Sequence, residues 1–426
     1  MTNIIEKSNR VEGISKDRLI KILRESLAFK AGELKKVLII PPDYTRKHSE
    51  AGVITAIYYE LLKDICEVDI MPAVGSHFPM TDYELTEMFG TSIPFEKYLE
   101  HNWKTDAVKI GQVPADYIRK ISGGSVDYSI DVEVDKKLLD KSYDLILSIG
   151  QVVPHEVVGM ANYSKNVFVG CGGRDMINAT HYLGAICGLE EVIGKDFAPV
   201  RKVFDYCEEN FLKDVPIMYV MTVTSPQKDF NAINGIFIGK ERKVFEEAVA
   251  QSRELNITIV DQPLKKVVVY LDPHKFRSTW VGNKAVYRTR MAIADQGELL
   301  VLAPGISQYG EDPDIDRMIG KYGYSGTENV LRCVAGEELG TNLAAAAHLI
   351  HGSSEGRFSI TYAVENLTRE QVEKINYKYM PLSEAYEKYK PNMLKDGFNT
   401  MEDGEVIYYI SSPASGLWST RERWGE

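Results

Sequence analysis

The residues that could do chemistry gather in three short stretches. The longest, Gln151 to Gly184, holds His155, Lys165 and His181 with Gly170, Gly172 and Gly173 between them. Upstream lie Asp43-Tyr44-Thr45-Arg46 and Gly75-Ser76-His77. Histidine titrates near neutrality, so two on separate loops can exchange proton-donor and proton-acceptor roles at pH 7. A reaction needing one base on each face of a carbon, such as racemisation, suits such a pair. Metal ligation and plain structural hydrogen bonding are the other readings of His77 and His155. The guanidinium fork of Arg46 suits a carboxylate or phosphate, or else a surface ion pair with Asp43, which contributes little. Lys165 reads as a phosphate binder, a covalent anchor or a solvated residue, and residue chemistry by itself favours the last.

These groups need elements to position them. Each of the three stretches follows an apolar run with strand character: Lys36-Val-Leu-Ile-Ile before Asp43, Cys66 to Val74 before His77, and Asp144-Leu-Ile-Leu-Ser-Ile-Gly before His155. Open α/β sheets hold their sites just beyond the carboxyl ends of such strands, so the three loops are expected to converge on one edge. Helical spacing marks residues 15–30, with Ser15 as N-cap, and residues 51–63. Thr81 and Glu84 have capping-box spacing. Val126 to Val134 alternates like a strand, and helices are expected from Met176 to Leu212.

A composition break near 255–266 opens a second α/β unit. Its expected elements are a strand from Val267, a helix over Lys284 to Asp295, a strand at Glu298 to Ala303 and helices around Asp314 to Val334 and Ala344 to His351. A strand at Arg357 to Val364 and helices through Leu394 follow. The expectation is two α/β domains, 1–265 and 266–403, each with a mainly parallel sheet and with a cleft between them. The segment 404–426, with a strand at Gly404 to Ser411, could pair in either domain.

Composition narrows the function. The chain has 426 residues, 44% apolar and 26% charged, as in an ordinary globular protein of more than one domain. Its net charge of −11 argues against a nucleic-acid binder. Five cysteines without a CxxC pair read as free thiols in a reducing compartment. The N-terminus lacks a signal-peptide core, and no apolar run nears the roughly 20 residues a membrane span needs. A cytoplasmic location is therefore expected. GxGxxG, GxxxxGK[ST] and HExxH are all missing from the sequence, which lowers the expectation of Rossmann, P-loop and zincin chemistry. Among the remaining histidines, His48 and His101 read as surface groups, His274 lies in a turn, and His348 and His351 flank a helix end.

Taken together the motifs become specific. D-x-T-R at Asp43 to Arg46, G-[ST]-H at Gly75 to His77 and P-H-x-x-x-G at Pro154 to Gly159, followed at matching spacing by Lys165 and His181, resemble the lactate racemase superfamily over nearly the whole chain. The resemblance implies an isomerase that inverts C2 of a 2-hydroxy acid with a nickel-pincer nucleotide, a cofactor made by separate synthesis enzymes and so absent from some recombinant preparations. By that resemblance Lys165 tethers the cofactor and His181 is the protein's nickel ligand. His77 and His155 act as acid and base on the 2-hydroxyl, Arg46 holds the substrate carboxylate, and Asp43 and Thr45 line the cofactor site. The family's S-G-G-x-K is here Ala161-Asn162-Tyr163-Ser164-Lys165. Its Q-x-x-K is matched by Val281-Gly282-Asn283-Lys284, which makes Lys284 a substrate contact. Trp280 walls the pocket or packs in the core. Losing the Gln points to a different 2-hydroxy acid, with a sugar acid of the gluconate/mannonate type first and lactate or another short acid next. A zinc- or iron-dependent hydrolase or lyase, and a non-catalytic metal or nucleotide binder, are the competing readings. The partners expected are the small-molecule substrate and the cofactor-synthesis enzymes, with neither nucleic acid nor membrane.

Overall fold

The computed structural model describes residues 3–227 and 230–425. The chain divides into two compact units, Met1–Thr180 with Gly194–Asn256, and His181–Ile193 with Ile257–Glu426. The division thus falls inside the helix Arg174–Ile186. The expected boundary at 265 lies beyond the one observed, and the short segment His181–Ile193 joins the second unit.

Strands of the first unit are β1 (Ile4–Lys7), β2 (Lys36–Ile40), β3 (Glu67–Ile70), β4 (Ala107–Val113), β5 (Ile130–Asp135), β6 (Leu145–Gln151), β7 (Pro154–His155), β8 (Gly159–Met160), β9 (Ile217–Pro226) and β10 (Asn231–Gly239). The main sheet runs β1-β10-β9-β6-β2-β3. From β9 to β3 every neighbour is parallel, and β10 and β1 add an antiparallel edge. The β9–β10 pair was not expected; between its strands residues 228 and 229 lie outside the described residues. Val126 to Val134 shortens to β5, which pairs with β4 in a separate two-stranded ribbon.

The parallel arrangement follows from the sequence of β6. All seven of its residues are buried, the near-continuous apolar character of a strand covered on both faces. Val37 and Ile39 of β2 join Leu145, Leu147 and Ile149 of β6 in one core with Leu23 and Tyr58 from the helices Lys16–Ser26 and Ala51–Leu62. Two expected caps are present. Ser15 accepts from the Arg18 amide, and Thr81 and Glu84 form a reciprocal capping box on Asp82–Phe89.

In the second unit β11 (Ile257–Val260), β12 (Leu264–Tyr270), β13 (Ile293–Leu302), β14 (Ser359–Val364), β15 (Lys378–Pro381), β16 (Gly397–Thr400), β17 (Val406–Ile410) and β18 (Leu417–Thr420) follow in order. The sheet runs β15-β14-β13-β12-β17-β16, parallel except for the β16–β17 edge. The strand expected near the C-terminus therefore belongs to the second unit, as β17. Alternation is clean: Val267, Val269, Leu299 and Val301 enter one core, and Val268, Leu300 and Leu302 the other. The helix expected over Lys284 to Asp295 is only the single turn Lys284–Tyr287. Beyond it, Ile293 already pairs with Leu264 and the Leu264 amide bonds the Ala292 carbonyl, so sheet pairing overrides local propensity there.

Candidate active site

Strands β6, β2 and β3 are adjacent and parallel. Their carboxyl ends therefore open on one edge, with the Asp43 loop between the His155 and His77 loops. The alignment continues past the strands, where the Ala73 amide bonds the Pro41 carbonyl at 2.7 Å. Gly75 then turns with φ +59, and its amide bonds the Gly170 carbonyl at 2.8 Å. A Cβ at Gly75 would adopt the left-handed conformation and lie 3.2 Å from the Val169 carbonyl oxygen. Glycine there lets the His77 loop dock on the segment that follows Lys165. That segment, Asn166–Gly170, is a π-helical turn, a feature frequent at functional sites. Asn166 fastens it to the sheet by donating to the Ile40 carbonyl and to Ser148.

Asp43 is the hub of the edge. It is buried, and its carboxylate accepts from Thr45, from Arg46 Nη1 at 2.9 Å and from His77 Nδ1. Burial opposes the charged form. The Arg46 charge and the hydrogen bonds from His77 and Thr45 outweigh it, holding the Asp43 carboxyl well below the usual carboxylate range. Because Nδ1 faces a carboxylate, the His77 proton is assigned there and Nε2 is the lone-pair nitrogen. The ring is 40% exposed. His155 has the opposite arrangement. It sits in the two-residue strand β7, paired with Gly159 of β8, and its Nδ1 accepts the Val157 amide at 3.1 Å. The Glu156 carboxylate lies farther off, 3.6 Å from the same nitrogen, so the amide bond decides and the proton of neutral His155 is assigned to Nε2. One histidine presents a base and the other an acid.

Lys165 shares this environment. Removal from water, with the positive field of Arg46 adding to it, pushes its ammonium down to about 7, against the opposing pull of Glu156 and Asp43. A lysine so shifted is substantially a neutral amine, and hence a nucleophile, at neutral pH. Lys165 is half-buried, so the expectation of a solvated surface lysine fails here.

Thus Asp43, Thr45, Arg46, His77, His155 and Lys165 gather in the first unit. Arg46 donates to Asp43 and to Thr45 through Nη1, so the ion pair weighed for it is present, and with a buried partner. Asp43 is also the partner of His77, a role its own sequence context did not reveal. The other three expected residues lie in the second unit. His181 is half-buried on the helix Arg174–Ile186. Trp280 lies tilted against His348 with centroids 4.2 Å apart and packs against the core, and half-buried Lys284 starts its short helix. His101, expected at the surface, is buried against Asp135. Glu156, Asn166 and Arg201 were missed. Glu156 adjoins His155 in the chain, whereas Arg201 carries no motif at all.

Residues 3–192 match the family model described as lactate racemase N-terminal domain. The matched stretch holds the motifs at Asp43 to Arg46, Gly75 to His77 and Pro154 to Gly159, with Lys165 and His181. The fold is also that of a lactate racemase apoprotein from Thermoanaerobacterium thermosaccharolyticum, with TM-score 0.70 and 17% identity over 98% of this chain and 100% of that one. A protein from Thermotoga maritima gives TM-score 0.81 and 20% identity over 96% of this chain and 99% of that one. No curated protein matches the chain in sequence. Among the described residues no helix is long and apolar enough to cross a membrane, and no group of three or more His, Cys, Asp or Glu side chains could hold a metal ion.

Proposed function

We propose that the chain is a racemase or epimerase that inverts C2 of a 2-hydroxy acid. The observation carrying this reading is the pair of oppositely assigned histidines, His77 and His155, on the sheet edge that also holds the Lys165 amine. His77 Nε2 takes the hydroxyl proton of one enantiomer and His155 Nε2 donates to the developing hydroxyl of the other; the reverse reaction exchanges the roles. Asp43 holds His77 in the tautomer that leaves Nε2 basic. Arg46 binds the substrate carboxylate.

The donor set suits the nickel-pincer nucleotide that the family implies. Such a group brings its metal already chelated, so it asks the protein for one amine that is neutral near pH 7 and one imidazole. Lys165 would hold it covalently and His181 would ligate the nickel, with Asp43 and Thr45 lining its site. When bound it supplies the acceptor and donor of the C2 hydride. Lys284 and Trp280 are proposed as substrate contacts. With Val281 in place of a polar residue, the substrate favoured is a sugar acid of the gluconate/mannonate type, and lactate or another short acid comes next. The partners proposed are the cofactor-synthesis enzymes, and the location is cytoplasmic.

The test is intact-protein mass spectrometry with nickel analysis on chain produced alongside those enzymes. A nucleotide-sized adduct carrying nickel, present in the wild type and absent from Lys165→Ala, is the expected result. No adduct and no nickel would sink the proposal. A substrate panel then separates sugar acids from lactate, and turnover of lactate alone would remove the sugar-acid assignment.

A further inference from the structure

The turn before Lys165 is built in an unusual way. Asn162 and Tyr163 are consecutive non-glycine residues in the left-handed region, with φ +64 and +55. Such residues are strained and persist only where their surroundings over-determine them. The surroundings here centre on one fully buried side chain, Arg201, on the helix Pro199–Phe211. Its Nη1 donates to Ser164 Oγ at 2.9 Å, and its Nη2 donates to the Met160 carbonyl at 2.7 Å and to the Asn162 carbonyl at 3.1 Å. Those acceptors bracket both strained residues and end one position before Lys165.

The rest of the cluster fits that grip. The Arg201 guanidinium lies 4.6 Å from the Phe245 ring centroid. Tyr163 stacks on the same ring at 5.0 Å, packs against Tyr219 at 4.3 Å and donates its hydroxyl to the Lys240 carbonyl. Gly150 of β6 leaves room for the Asn162 side chain, since a Cβ there would come within 3.1 Å of it. The turn closes through the Lys165 amide on the Asn162 carbonyl and the Asn166 amide on the Tyr163 carbonyl. Strain at the turn, the amine beyond it and the π-helical turn after it form one continuous piece of chain.

We propose that Arg201 is the positioning residue of the site. By clamping Met160, Asn162 and Ser164, it holds the left-handed Asn162–Tyr163 turn and thereby keeps the Lys165 amine at the sheet edge and out of water. The planar fork matters as well as the charge, because a lysine ammonium is a point donor on a flexible stem and does not reproduce acceptors spread along five residues. Burial pushes the Arg201 guanidinium itself down to about 10, so it stays cationic at neutral pH. The inference takes its meaning from reading Lys165 as the reactive amine. Its test uses the chain without cofactor, so failure of the racemase proposal would leave the result readable.

The experiment is trace acetylation with acetic anhydride over a pH series, reading the Lys165 peptide by mass spectrometry in folded wild type, Arg201→Lys and Arg201→Lys/Asn162→Gly. Arg201→Lys keeps a positive charge but loses the fork, and its Lys165 midpoint should rise by about one unit or more toward that of an exposed lysine. Asn162→Gly removes the left-handed cost at one position and should bring the midpoint back toward wild type. A lowered Tm with an unmoved Lys165 midpoint in Arg201→Lys would make Arg201 a packing residue only and overturn the proposal. So would a raised midpoint that Asn162→Gly leaves in place, since Arg201 would then act through its field and not by holding the backbone.

Discussion

Two histidine–aspartate pairs, His77–Asp43 and His101–Asp135, stand in the same unit and are each separated by 34 residues in sequence. Both use Nδ1 toward the carboxylate, and both aspartates accept further bonds, Asp43 from Thr45 and Arg46 and Asp135 from the Lys137 amide. They differ at the other ring nitrogen. His101 Nε2 faces the Gly172 carbonyl at 3.2 Å, and its side chain has no exposed surface. The His77 ring is 40% exposed on the edge shared with Lys165. A carboxylate partner therefore does not by itself distinguish a candidate base from a buried structural histidine; the surroundings of the second nitrogen do.

The largest test of that contrast is His77→Gln. In cofactor-loaded enzyme it should cut turnover about 10²- to 10⁴-fold, the range of a lost general base, with an unchanged melting curve; chiral analysis of the product checks it. Retained turnover would end the comparison. His101→Ala should do the opposite, leaving Asp135 with Lys137 alone at a cost of about 1–3 kcal/mol for the lost buried hydrogen bond, read from urea unfolding of the chain without cofactor.

The smallest effect is the pH dependence of Asp43. Its folded carboxyl lies below its unfolded value of about 3.9, so its stabilisation is present above that pH and is lost as the pH falls below it. Asp43→Asn should flatten the acid side of the stability profile below about pH 4. An unchanged acid limb would mean that the ion pair with Arg46 does not persist in solution.

Much of the site was legible from chain order. Asp43, His77, His155 and Lys165 each follow an apolar run, and the rule that parallel strands present their carboxyl ends together places them on one edge. The capping box at Thr81 was legible because both partners lie within one helical turn. The β9–β10 pair was missed, because its runs carried no recognised turn signal. The Lys284 helix failed because pairing with β12 outweighs local propensity. His101 looked like a surface group because the oxygens that receive it, on Asp135 and Gly172, are remote in sequence.

The sequence by itself determined the α/β class, the three candidate loops and the resemblance to the lactate racemase superfamily, since periodicity, motif and spacing are local properties of the chain. Only the tertiary structure decided which histidine is open, that Lys165 is a weakly basic amine, and that Arg201 grips the turn before it. Burial, field and hydrogen-bond partners are set by residues tens of positions away, and no local pattern encodes which of them will meet.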